Sequence, residues 1–131
     1  MPPSIITTPA GAKAAIATLA ATAAPHPRLV LFTATRDAGG VPWCPDCARS
    51  IAGVRAAADA LGGSLVEVEV SRPEWKNPGN PSPLRAEYGI TGIPALALVG
   101  EGGGVERVLG AALEGAAGDA AAEALVREWA G

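Results

Sequence analysis

Leu29-Val30-Leu31-Phe32 is the segment that most narrows the folds open to this chain. Unbroken apolar residues leave no side for water, so the strand they form has to be covered on both faces and belongs in the middle of a sheet. Around it, strand-like and helix-like patterns alternate. Ser4 to Thr8 reads as a short strand, and a helix is predicted from Thr8-Pro9 to about Ala23, with Ile16, Leu19, Ala20 and Ala23 on one face. Pro25-His26-Pro27 stops it, with His26 read as an exposed loop residue. A second helix is predicted from Pro45 to Leu61, where Ile51, Val54, Ala58 and Leu61 recur at helical spacing before Gly62-Gly63. Leu65 to Val70 alternates valines with Glu67 and Glu69, the period of a strand with one wetter face. A Pro/Asn/Gly loop from Arg72 to Pro83 follows, then a short helix holding Leu84, Arg85 and Tyr88. Ile93-Pro94 introduces the strand Ala95 to Val99, which pairs through Gly102-Gly103-Gly104 with Val105 to Leu109 as an antiparallel hairpin. The last helix runs from about Ala117 to Ala130, with Ala122, Leu125, Val126 and Trp129 facing inward. This order implies an α/β fold, read as a single domain over residues 1–131.

Composition removes several functions. With 49% hydrophobic and 18% charged residues the chain is a folded globular protein. Its net charge is −3 and its ten basic residues are scattered, so no basic stripe exists and no nucleic-acid partner is expected. The run from Ala10 to Ala24 is interrupted by Lys13 and is too weakly apolar to enter a membrane. The start, Met1-Pro2-Pro3-Ser4, lacks the basic region and Leu-rich core of a signal peptide. A cytoplasmic location without membrane association is therefore expected.

The chemistry concentrates in Trp43-Cys44-Pro45-Asp46-Cys47, which holds both cysteines of the chain. A close pair without further cysteines is catalytic or metal-binding rather than a structural staple. Zinc needs about four ligands, and beyond the pair the chain offers only His26 and scattered carboxylates. Disulfide exchange needs only an attacking thiolate and a second thiol to resolve the mixed disulfide. At a helix start the first sulfur meets unpaired N–H groups that favour its thiolate, while the second lies one turn along, buried. Cys44 is thus the expected nucleophile and Cys47 the resolving thiol. Pro45 stiffens the first turn. Asp46 places a carboxylate beside the thiolate, which favours a reductant over a strong oxidant.

The motif with its surroundings resembles the thioredoxin superfamily, and within it the thioredoxin domain-containing protein 17 family of small thioredoxin-related proteins. The resemblance rests on Trp43-Cys44-Pro45-Asp46-Cys47, the preceding Phe32-Thr33, and the loop Asp37-Ala38-Gly39-Gly40. It extends through Trp75-Lys76, Pro78, Asn80, Leu84-Arg85 and Ile90-Thr91-Gly92-Ile93-Pro94. It implies a thioredoxin-like fold, a mixed sheet with helices on both faces, and a cis-proline at Pro94 whose neighbour Ile93 pairs with incoming substrate. It further implies disulfide reduction driven by NADPH through thioredoxin reductase, with no bound cofactor, acting on small disulfides and selected proteins, and with some peroxidase activity. The loops Thr35–Pro42 and Arg72–Pro83 would crowd the site. General thioredoxins carry a buried acid where this chain has Leu31, so Asp46 or water is left to manage the Cys47 proton. A redox-responsive binding module, switching partners with little turnover, is the reading from another class.

Of the remaining residues, Trp43 is expected to border the substrate surface, while Trp75 either lines the site or anchors its loop. Arg36 and Asp37 read as solvated loop charges, Phe32 and Trp129 as core, and Tyr88 as a packing residue.

Overall fold

The computed structural model describes residues 4–21, 27–76, 83–100, 102–116 and 118–130. Within them, five strands form one sheet in the order β1-β3-β2-β4-β5. These are β1 (Ser4–Thr7), β2 (Arg28–Ala34), β3 (Ser64–Val70), β4 (Ala95–Val99) and β5 (Val105–Leu109). β3 runs parallel to both β1 and β2, whereas β4 is antiparallel to β2 and to β5. The sheet is mixed, as a thioredoxin-like α/β fold requires. β2 lies at its centre, and Leu29, Val30, Leu31 and Phe32 are each 0% exposed, which meets the demand of their unbroken apolar run.

Helices cover both faces. On one side α5 (Leu84–Tyr88) sets the Tyr88 ring 5.3 Å from the ring of Phe32. On the other, Arg55 of α3 (Ile51–Ala60) reaches Glu67, the residue after the one facing Val30 and the register partner of Leu31. Because alternate strand residues point to opposite faces, Phe32 and Leu31 assign α5 and α3 to opposite sides. α1 (Ala12–Ala20), entered through a 3₁₀ turn at Pro9–Gly11, buries Ala12, Ile16 and Leu19. α7 (Asp119–Ala130) packs on α3, and the approach is close because position 53 is glycine. A Cβ there would stand 2.2 Å from the Asp119 carbonyl oxygen and 2.9 Å from the Ala122 Cβ.

Several elements depart from expectation. The helix predicted over Pro45–Leu61 is two: α2 (Pro45–Ala48) and α3, parted at Arg49-Ser50. Ser50 is fully buried, and its hydroxyl donates to the carbonyl oxygens of Asp46 (2.9 Å) and Cys47 (3.3 Å), replacing backbone partners a continuous helix would use. The wetter face predicted for β3 is not wet. Glu67 is 0% exposed, since α3 covers it and Arg55 neutralises it. The loop from Arg72 begins with a helical turn, α4 (Arg72–Trp75), whose Ser71 hydroxyl accepts from the Glu74 N–H. The last helix is likewise preceded by a separate turn, α6 (Ala111–Glu114); Ala122 and Val126 of α7 are buried, but Trp129 is only half-buried, under the Arg107 guanidinium. His26 and residues 77–82 lie outside the described residues. No described helix is long and apolar enough to cross a membrane.

Candidate functional site

β2 ends at Ala34, and the chain makes a short excursion before returning to the sheet at Trp43. Arg36 pairs with Pro42 as an isolated bridge, and the Asp37 carboxylate accepts from the Gly39 and Val41 N–H groups at 2.8 and 3.0 Å, closing the tip of the loop. Asp37 is therefore a structural acceptor rather than an idle charge. Arg36 is also committed. Its guanidinium meets Glu67 at 3.0 Å and Glu69 at 3.2 Å. Together with the bidentate bonds from Arg55 to Glu67 (2.7 and 2.8 Å), this ties α3, β3 and the loop into one charged cluster. Reading Arg36 as a solvated charge missed this because its partners lie on a strand more than thirty residues away.

The loop delivers Trp43 against the sheet, where its indole N–H donates to the Val70 carbonyl at 2.9 Å. Cys44 then caps α2, with Pro45 in the first turn. The two sulfurs are free thiols with unequal surroundings. Cys44 is 9% exposed and opens on a cleft, while Cys47 is 0% exposed behind it. Burial pushes the Cys47 thiol up to about 12; the Thr33 hydroxyl and the Ala34 backbone oppose that shift, and nearby Cys44 adds to it. At neutral pH Cys47 is protonated. The side chain of Asp46 forms an ion pair with Arg49, one turn along, so its charge is shared rather than aimed solely at Cys44.

Across the cleft the Ile93–Pro94 peptide bond is cis, and the Cys44 thiol donates to the Ile93 carbonyl at 3.7 Å. The backbone of Ile93, expected to meet substrate, thus faces the first sulfur. Of the seven residues singled out from the sequence, Trp43, Cys44, Pro45, Asp46 and Ile93 line the cleft, Pro94 is buried next to Ile93 across the cis bond, and Cys47 stands behind Cys44.

The cleft has a volume of about 530 Å³. Trp75 both lines it and anchors its loop: it is 5% exposed, with the Arg85 guanidinium 3.8 Å above its ring. Arg85 also donates to the carbonyl oxygens of Thr91 (2.7 Å) and Trp75 (3.3 Å), binding α5 to the segment before Pro94. Arg72, Lys76 and Glu114 complete the rim, and Glu114 approaches Gly92 so closely that a Cβ there would lie 2.8 Å from its carboxylate. These rim charges were not legible as site residues, because Arg72 and Lys76 flank the short turn α4 and Glu114 ends α6, all far in sequence from the cysteines. Among the described residues no three His, Cys, Asp or Glu side chains cluster as a metal-ligand set.

A family model described as thioredoxin domain-containing protein 17-like, thioredoxin domain, matches residues 11–114. The chain is 33% identical over 72 residues to thioredoxin domain-containing protein 17 of Homo sapiens, covering 53% of this chain and 57% of that protein. It is 28% identical over 71 residues to the thioredoxin-like protein Clot of Arabidopsis thaliana, covering 51% and 53%. The chain thus spans a little over half the length of these curated relatives. Since the matched residues 11–114 take in both cysteines, the central strand and the cis-proline, this chain belongs to the thioredoxin domain-containing protein 17-like family, a thioredoxin-like and redox-related domain.

Proposed function

We propose that this protein is a disulfide reductase working through the Cys44/Cys47 dithiol. The observation that carries the reading is the asymmetry of the pair: one sulfur faces a cleft beside a cis-proline, and the other is buried behind it and held protonated. The Cys44 thiolate attacks a substrate disulfide and one substrate sulfur leaves with the electron pair. Cys47 then attacks Cys44, freeing the second substrate thiol and leaving an internal disulfide. Trp43 walls the cleft, Pro45 stiffens the turn that presents Cys44, and Asp46, paired with Arg49, adjusts the charge beside it. Ile93 and Pro94 form the opposite wall, where substrate lies. Electrons come from NADPH through thioredoxin reductase, in a reducing compartment such as the cytoplasm, and the substrates are small disulfides and selected protein disulfides. Hydrogen peroxide serves as a slower alternative oxidant.

The test is NADPH oxidation in the presence of thioredoxin reductase and cystine. Wild type should turn over, Cys44→Ser should not, and Cys47→Ser should accumulate a mixed disulfide. Failure of wild type to turn over with reductase and a panel of disulfides would leave a redox-responsive binding module as the better account. Trapping by Cys44→Ser in place of Cys47→Ser would reverse the two roles.

A further inference from the structure

Resolution asks the buried Cys47 to carry negative charge briefly where burial opposes it. Two neutral donors favour its thiolate, the Ala34 backbone and the Thr33 hydroxyl, and only the second belongs to a side chain. Alternation along β2 sends Leu29, Leu31 and Thr33 to the same face. That face is the α3 side, because Glu67, the register partner of Leu31, is bonded by Arg55. α2, which carries Cys47, leads into α3 on that side. Thr33 is 0% exposed, its hydroxyl is near enough to Cys47 to draw that thiol's ionisation down, and it makes no hydrogen bond to nitrogen, oxygen or sulfur among the described residues. A buried hydroxyl without a standing partner is uncommon and calls for an explanation. Asp46, expected with water to manage this proton, pairs with Arg49, and Glu67, the buried carboxylate on the same face, is held by two arginines.

We propose that Thr33 donates its hydroxyl hydrogen bond to the Cys47 sulfur as that sulfur becomes a thiolate, which makes Thr33 a residue of the resolving step and not of the first attack. The inference rests on the disulfide-reductase reading of this site. In the step, Cys47 Sγ bonds to Cys44 Sγ and the bond between Cys44 and the substrate sulfur breaks. The bonding pair leaves on the substrate sulfur, which takes up the proton that Cys47 has lost. Two electrons pass from dithiol to substrate, and Thr33 keeps its own proton throughout.

The experiment mixes the reduced full chain with glutathione disulfide, quenches with acid at intervals, and counts glutathionylated and internally oxidised protein by mass. Wild type, Thr33→Val and Thr33→Ser are compared across pH. Thr33→Val should form the mixed disulfide at the wild-type rate but close it at least about tenfold more slowly, the size expected for a hydrogen bond to a charged group. Its closing rate should rise at higher pH than in wild type, and Thr33→Ser should restore both properties. Should Thr33→Val not fold, Thr33→Ala against Thr33→Ser carries the same contrast. Closure at the wild-type rate without the hydroxyl, or equal slowing of attack and closure, overturns the role of Thr33 while leaving the reductase reading intact. Neither mixed nor internal disulfide from wild type removes both.

Discussion

The two faces of the central sheet are built from different materials. Toward α1 and α5, β2 and β3 present Val30, Phe32 and Ala34 with Val66, Val68 and Val70, all buried and apolar. Toward α2 and α3, the same strands present Thr33, Glu67 and Glu69 among the leucines, served by Arg36 and Arg55. Apart from Arg28 and Ser64 at the first positions of the two strands, one face is held by volume and dispersion. The other admits polar groups, each with an assigned partner or a reacting sulfur beside it, and it is the face under the cysteine helix. The contrast teaches that this domain keeps its inert packing and its chemistry on opposite sides of one strand pair.

The comparison breaks most visibly at Phe32. Phe32→Ala should lower unfolding free energy by about 3–5 kcal/mol, as cavity formation in a sealed core does, and by the same amount at low and high salt in urea titrations. A salt-dependent loss would mean that this face is not purely apolar in its energetics. On the other side, Arg55→Met should lower stability by about 2 kcal/mol, since a buried carboxylate loses two charge-assisted bonds while Arg36 remains. A double-mutant cycle with Glu67→Gln should show strong coupling; additive losses would detach Arg55 from Glu67. The last effect is absent at neutral pH and confined to alkaline solution. The Cys47 thiol is held protonated to about 12 in the fold, against 9.0 for an ordinary thiol. Between those values the unfolded chain binds fewer protons, so the contribution of Cys47 is complete below about pH 9 and declines as pH rises toward 12. The stability difference between reduced wild type and Cys47→Ala should fall across that window, and a flat difference would show that Cys47 ionises as freely in the fold as outside it.

The apolar face was legible in the sequence and the polar face was not, for a physical reason. Leu29 to Phe32 can be satisfied only by burial, so its central position follows from composition alone, and the hairpin of β4 and β5 follows from its glycines. Alternating Val66, Glu67, Val68 and Glu69, by contrast, reads equally as a strand with water on one side or as one with arginines on it. The choice was made by Arg55, on a helix that precedes the strand, and by Arg36, in a loop farther back. The helix break at Ser50 was hidden for a related reason: its apolar spacing continues through a residue whose hydroxyl takes the backbone's acceptors. At the site, the cysteine pair, its Trp-Pro-Asp frame and Pro94 were legible because their chemistry is local to short motifs. Thr33 passed as an ordinary strand former. Its only signal was a hydroxyl at the end of a run that otherwise tolerates no polar atom.

The position of β2 has a consequence for how the molecule is made. Both of its sheet neighbours, β3 and β4, lie later in the chain, the nearer beginning thirty residues beyond its end. As the chain leaves the ribosome, its most apolar strand and the cysteines behind it emerge before either of the strand's sheet neighbours exists, and the pairings that bury them span long sequence separations that close slowly. The cleft acquires its second wall only when the segment leading into β4 arrives. A nascent chain halted before Ile93 therefore displays both thiols without the wall that selects their partners, and the interval between those two moments is when this protein is most exposed to the wrong disulfide.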